Sequence, residues 1–379
     1  MLSEVFINKK NFLTNLKTIR KIIGPQTKLM AVVKANAYGH DLKLIASLAN
    51  PLVDYFGVVE TQEALLLRRM GIKKPILVLS YTALDALDST LLKRAIKNNI
   101  ELSIYDLLTA KRVSQIAKSL NKKAIIHLKI ESGLNRLGFQ KNDLKIIQQM
   151  KKLPYLKIKG IFSHLAAVEE KKMNYSKYQL QNFQKMIENF KKEEIINADT
   201  ICHLAASAAA LIWSASRFQL VRCGISLYGL YPSLEMKKWF WRQKIFLKPV
   251  LSWQTKVLAV KNVKKGSYIG YGCSYQAKKP TKIAVLAVGY ADGYPRLLSN
   301  QGRVIIHNQW ANIIGRVAMN MMVIDVSKIK KSVKIGDRAI LIGQSQDKEI
   351  SADELALKTK TINYEITTRI NWQILRKLI

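Results

Sequence analysis

Met30-Ala31-Val32-Val33-Lys34-Ala35-Asn36-Ala37-Tyr38-Gly39-His40 is an apolar, partly β-branched run that stops on a lysine, passes through small residues and turns at a glycine. An apolar run of this length reads as a buried strand. Lysine is seldom buried without a partner. Two readings of Lys34 stand on the segment alone. It snorkels to water from a strand edge, or it is a desolvated amine with a lowered pKa, able to form a Schiff base with an aldehyde such as that of pyridoxal phosphate.

Working outward, strand-like runs recur at residues 29–33, 55–59, 75–79, 101–105, 124–130, 158–162, 200–204 and 220–224. Helical patterns separate them, as at 175–190, where apolar residues recur every three or four positions. Eight strands alternating with helices predict a (β/α)8 TIM barrel, whose functional residues sit just after strand ends. Beyond about residue 240 the texture changes to long strand-like segments with glycine turns, at 250–260, 282–288, 303–307, 313–326 and 338–342. This predicts a mainly β C-terminal domain. Ser351 and Glu354 are read as a capping box opening a helix over 351–360. The expected division is 11–238 for the barrel, with 1–10 and 239–379 forming the β domain.

Composition bounds the reading. The chain has 379 residues, 49% of them hydrophobic, enough for two packed cores. No apolar run reaches the ~18 residues of a membrane span. The N-terminus lacks the layout of a secretion signal, so a cytoplasmic protein without membrane insertion is expected. Cys202, Cys223 and Cys273 form no metal-ligand spacing and read as free thiols. The net charge is +36, yet the lysines come as scattered doublets, with no block of like charge and no nucleic-acid module. The excess reads as a solvated basic surface without a specific nucleic-acid partner.

The segment Val32–Val33–Lys34–Ala35–Asn36–Ala37–Tyr38–Gly39–His40 resembles the cofactor-lysine motif of the alanine racemases, and the resemblance runs over essentially the whole chain. It implies a homodimeric, pyridoxal 5'-phosphate-dependent isomerase that interconverts L- and D-alanine with two bases. D-alanine of this origin typically feeds cell-wall peptidoglycan. Lys34 then carries the cofactor and serves as one base, and Tyr38 is a phosphate ligand. In His127–Leu128–Lys129–Ile130–Glu131–Ser132–Gly133–Leu134–Asn135–Arg136, Arg136 matches the arginine that contacts the cofactor's phenolic oxygen and the substrate carboxylate. A guanidinium suits both, being planar, charged and bidentate. Lys129 matches a position that some members carbamylate. His164 matches a histidine beside the cofactor ring, whereas His127 and His203 read as structural. Ser207, Gly224, Ile225 and Tyr364 match phosphate contacts.

Arg222 matches the arginine that faces the pyridine nitrogen. Arginine keeps its proton, so that nitrogen stays unprotonated, which confines the cofactor to proton transfer. Tyr271, in Ile269–Gly270–Tyr271–Gly272–Cys273–Ser274–Tyr275, matches the second base, supplied in the family by the partner subunit. Two bases flanking a planar carbanion are a direct solution to racemisation. Tyr290 matches an entry residue, and Met319 matches a backbone donor to the substrate carboxylate. Asn320 stands where the family usually has aspartate, and Ala206, Cys223 and Leu134 are further departures. Two alternatives remain open: a broad-specificity amino-acid racemase on the same scaffold, or a basic polyanion-binding protein on an inactive one.

Overall fold

The computed structural model describes residues 2–80, 82, 88–169 and 173–379. Its eight-stranded parallel sheet comprises β2 (Lys28–Val32), β3 (Tyr55–Val58), β4 (Ile76–Val78), β5 (Glu101–Ile104), β6 (Ala124–Lys129), β7 (Leu156–Phe162), β8 (Ile201–His203) and β9 (Leu220–Cys223). The order β8-β7-β6-β5-β4-β3-β2-β9 returns to its start. Gln219 N donates to Cys202 O at 3.2 Å and Arg222 N to Ala205 O at 3.0 Å across the remaining seam. The sheet is thus a closed (β/α)8 barrel. Most of its strands are buried on both faces, as expected of parallel strands covered by helices and packed inside.

The second sheet has β1 (Glu4–Ile7), β10 (Leu251–Val263), β11 (Thr281–Leu286), β12 (Arg303–Ile306), β13 (Gln309–Ile313), β14 (Met322–Asp325), β15 (Arg338–Ser345), β16 (Lys348–Ile350) and β17 (Leu375–Leu378). Pairing of β15 with β10 as well as β12 closes a ring of six strands. β10 alternates buried and half-buried residues along its first eight positions, the pattern of a sheet with one face in a core. The first strand of the chain belongs here. β1 runs antiparallel to β10 and parallel to β17, and Ser3 Oγ accepts the buried Trp253 indole N–H at 2.7 Å.

Three sequence expectations are corrected. The segment 313–326 is not one strand. β13 and β14 flank a loop carrying Gly315 (φ 77°) and Met319, and a left-handed glycine breaks the run that hydropathy alone joins. Helix Ala352–Lys358 is capped by Ser351 Oγ, which accepts from Glu354 N at 3.0 Å. The Glu354 carboxylate does not return to the cap; it pairs with Arg303 at 3.0 Å. Lastly, Lys34 does not end the strand. β2 stops at Val32, and Lys34 opens a separate turn.

That turn is unusual. Ala35, Asn36, Ala37 and Tyr38 all have φ between 51° and 55°, a left-handed path that costs L-residues roughly 1–2 kcal/mol each. Small side chains limit the clash, and asparagine tolerates the region best. Asn36 Oδ1 accepts from Leu42 N at 2.7 Å, and Ala37 N donates to Val33 O at 2.8 Å. Gly39 (φ 84°) completes the turn against helix Asn363–Thr368, where a Cβ would lie 2.0 Å from Thr367 O. Gly39→Ala is therefore expected to destabilise the protein by at least about 2 kcal/mol, read as a lower urea midpoint. An unchanged midpoint would refute this account of the contact between the Lys34 turn and the C-terminal helix.

Candidate active site

The C-terminal ends of the barrel strands open onto a cavity of about 680 Å³, within the range of small-molecule sites. Lys34, Tyr38, Lys129, Arg136, His164, Ser207, Arg222, Gly224, Ile225 and Tyr364 all line it. Lys34 and Ile225, 191 positions apart, converge because β2, β6, β7, β8 and β9 all release their chains at this end, and Tyr364 joins them from helix Asn363–Thr368.

Cations dominate the electrostatics. Burial, then Arg136, lowers the Lys34 pKa, while nearby Glu63 opposes the shift. Lys129 is lowered to about 8 by burial and then by Arg136 and Arg222. Its ammonium lies 5.7 Å above the Phe162 ring. His164 is lowered to about 3 by burial and then by Arg222 and Arg136, so it is neutral at physiological pH. Arg222 is buried and donates through both terminal nitrogens. One reaches His203 O at 3.0 Å and His203 Nδ1 at 2.9 Å. The other reaches Ser163 O at 2.7 Å, Leu204 O at 2.9 Å and His164 Nδ1 at 3.2 Å. Among the described residues its Nε has no acceptor. Arg136 is different: it is exposed, at the mouth, on a turn whose Gly138 would place a Cβ 2.5 Å from Glu131 N. Glu131 accepts from Gly133 N at 2.6 Å and Arg136 N at 3.1 Å.

Beside β2, the strand that leads to Lys34, the chain after β9 forms a tight corner. A Cβ on Gly224 would lie 2.5 Å from the Tyr38 hydroxyl oxygen, so glycine is required for this approach. Gly224 N donates to Ser207 Oγ at 3.0 Å. Tyr364 packs on Tyr38 with centroids 6.1 Å apart. Burial raises the pKa of both phenols, so they act here as neutral hydroxyls.

Tyr271 and Met319 do not line this cavity. They are 71% and 55% exposed and belong to a second cluster on the β domain. Gly289 packs on the Met319 backbone, where a Cβ would lie 2.3 Å from Met319 O. Tyr290 N donates to Ala318 O at 3.0 Å and Ala291 N to Met319 O at 2.9 Å. The Gly272 turn rests on the Arg316 guanidinium. Tyr271, Tyr290, Met319 and Asn320 thus share one exposed face rather than the barrel mouth.

Sequence reasoning missed Glu63. Its carboxylate accepts from Val59 N at 3.2 Å and from the Ala35 and Asn36 amides, bracing the strained turn. Burial nonetheless raises its pKa. Its place, just beyond the end of β3, was the available signal. Also missed was the connection of Glu101, His127 and His203 to Arg222, since no local pattern relates those four positions.

A barrel with a desolvated lysine at its mouth, a cationic pocket and a glycine-built anion corner defines the class: an enzyme that works on carbonyl and amine groups from the C-terminal face. Residues 7–232 match the description "Alanine racemase, N-terminal domain" and residues 250–378 "Alanine racemase, C-terminal domain". An alanine racemase of Clostridium novyi is 38% identical over 376 residues, covering 98% of this chain and 94% of that one. A Bacillus anthracis alanine racemase with bound L-Ala-P superposes with a TM-score of 0.92 at 32% identity, covering 100% of this chain and 95% of that one. A Bartonella henselae alanine racemase with covalently bound pyridoxal phosphate gives 0.83 at 26%, with full coverage of both. The chain belongs to the alanine racemase family.

Proposed function

We propose that this protein racemises alanine with pyridoxal 5'-phosphate, using Lys34 and the partner subunit's Tyr271 as its two bases in a homodimer. The observation that carries the reading is the meeting of Lys34, Arg136, Arg222 and the Tyr38–Ser207–Gly224 corner in one cavity. These residues fit the cofactor. The corner offers hydroxyls and backbone N–H groups for a phosphate, the cations suit a phosphate and a carboxylate together, and Lys34 is an amine of lowered pKa. When bound, pyridoxal phosphate supplies an aldehyde for the substrate amino group and an electron-withdrawing ring that acidifies the α C–H.

The chain's own residues do the rest. Lys34 moves a proton at Cα on one face, and Arg136 orients the carboxylate. Arg222, with its other donors engaged, presents Nε–H without surrendering the proton. Tyr38, Ser207, Gly224, Ile225 and Tyr364 hold the phosphate. The exposed cluster around Tyr271 and Met319 supports a head-to-tail dimer in which each β domain completes its neighbour's barrel mouth. Residues 11–238 act as the cofactor-holding unit, and 1–10 with 239–379 as the unit that lends the second base. Three free thiols, two of them buried, support a cytoplasmic setting, and D-alanine for peptidoglycan is the expected use of the product. Among the described residues no helix is long and apolar enough to cross a membrane.

The test is incubation of L-alanine with cofactor-loaded protein in D₂O, following D-alanine and α-deuterium by NMR. D-alanine carrying deuterium is expected. A protein that handles serine, lysine or arginine better than alanine would redirect the assignment of substrate. Two site details are testable alongside. Lys129, at about 8, is a candidate carbamate, because an amine of that pKa has a far larger neutral, nucleophilic fraction at physiological pH than an ordinary lysine, whose pKa is ~10.4. A ¹³C-carbamate NMR signal under ¹³CO₂, lost in Lys129→Ala, is expected. Asn320 is exposed beside Met319, and Asn320→Asp is expected to change the pH profile of turnover by restoring a negative charge near Tyr271. Superimposable profiles would remove that position from the mechanism.

A further inference from the structure

A line of hydrogen bonds runs from the cavity into the barrel core. An Arg222 terminal nitrogen lies 2.9 Å from His203 Nδ1. His203 Nε2 lies 3.0 Å from His127 Nδ1, and His127 Nε2 lies 2.8 Å from Glu101 Oε2. The other carboxylate oxygen of Glu101 accepts from Lys159 at 2.6 Å. Both histidines are fully buried.

The direction of every proton in this line follows from chemistry. A guanidinium only donates, so His203 Nδ1 accepts. The His203 proton is therefore on Nε2 and is donated to His127 Nδ1. His127 must then be neutral, with its own proton on Nε2 facing the carboxylate. A doubly protonated His127 would leave His203 accepting at both nitrogens, which a neutral imidazole cannot do. The result is an ion pair stretched through two tautomer-locked imidazoles. Among the described residues no carboxylate forms a salt bridge with Arg222; Glu101 is the one that terminates its hydrogen-bonded line.

The barrel is shaped for this line. A Cβ on Gly160 would lie 2.3 Å from His127 Nδ1 and 2.8 Å from Ile201 O, so glycine there makes room for the imidazole between β6 and β8. The pairing of β6 with β7 shifts register between Ile126 and His127. Phe162 stacks on His203 with ring planes 6° apart, and Tyr55 meets His127 edge-on. Burial pushes the Glu101 pKa up, but the bonds from His127 and Lys159 outweigh it and the carboxyl ends below its ordinary value. It faces these two groups directly, with Tyr55 and Arg68 within electrostatic reach.

We propose that Glu101 is a positioning residue for the racemase site: through His127 and His203 it fixes the orientation of Arg222 and balances its charge. A negative charge at the far end of the line makes His203 Nδ1 a better acceptor. That holds the proton on Arg222 and tempers the acidity of the Nε–H turned to the cofactor. This rests on the reading of the cavity as the pyridoxal phosphate site, and its test separates the two.

In the cofactor-loaded protein labelled with ¹⁵N-histidine (five histidines in all), His127 and His203 are each expected to show a protonated Nε2 and a bare Nδ1, as the hydrogen-bonded line requires. This readout needs no activity. In Glu101→Gln the pH midpoint of the bound cofactor's visible band is expected to fall by about half a unit to one unit. Loss of an anion disfavours the protonated form at effective dielectrics near 20. Glu101→Asp is expected to recover part of the shift. Should Glu101→Gln not fold, Lys159→Gln frees the second oxygen and is expected to disturb the same band. A proton on Nδ1 of His203, an imidazolium at His127, or a band unmoved by the substitution in hand would overturn the proposal. An intact line in a protein without racemase activity would instead overturn the functional reading alone.

Discussion

Lys34→Ala is expected to abolish racemisation and covalent retention of pyridoxal phosphate together, while leaving the fold intact. Two amines line the cavity, Lys34 and Lys129, and Lys34 is the one assigned to bond the cofactor's aldehyde and, once displaced by substrate, to move a proton at Cα. Loss of a positioned base alone costs about 10²–10⁴-fold, and loss of the covalent link adds to that. The side chain is half-buried and, among the described residues, forms no ion pair or hydrogen bond whose partner would be orphaned, so truncation should cost little stability. The strained Ala35–Tyr38 path is braced by Asn36, Glu63 and Gly39 rather than by the ammonium. Dialysis followed by absorbance of the retained cofactor reads the first effect, and optical rotation of alanine the second. A variant that keeps its cofactor through dialysis and racemises alanine at the parent rate would refute the assignment.

Tyr271→Phe is the second large effect, and it differs in kind. The residue is 71% exposed, and surface substitutions usually stay within about ±0.5 kcal/mol of parental stability. A change in rate therefore reports chemistry, not folding. Racemisation is expected to fall by about 10²–10⁴-fold in both directions. Exchange of the α-hydrogen with solvent should persist for one enantiomer, because Lys34 still serves its face. Deuterium in that enantiomer with no inversion is the signature. Mixing the two inactive variants tests the shared site. A mixed dimer would pair one intact Lys34 with one intact Tyr271, restoring about a quarter of parental activity after random reassociation. Zero recovery from a verified mixed dimer would mean that both bases must come from one chain.

Both predictions rest on features the sequence carried in unequal measure. The eight barrel strands were legible because parallel strands buried on both faces leave short apolar runs at regular intervals. The placing of Lys34, Arg136 and His164 beyond such runs, and of Arg222 near the end of another, already implied one mouth. The β domain was legible as a class but not in detail. Hydropathy joined β13, the Met319 loop and β14, since a left-handed glycine leaves no trace in an apolar pattern. The capping box at Ser351 was half right, because a distant arginine claimed the Glu354 carboxylate.

What the sequence by itself determined is local: where strands begin, where glycine is needed, which residue types carry which chemistry. What only the tertiary structure decided is how distant groups meet. Position alone says nothing of the left-handed path at Ala35–Tyr38, which Glu63 and helix Asn363–Thr368 stabilise from far along the chain. Nor does it say that Glu101, His127, His203 and Arg222 form a single line, or that Tyr271 lies exposed outside the cavity of its own chain. Hydrogen bonds and charge act over a few ångströms in space, whatever the separation along the chain, so these relations exist only once the barrel has closed.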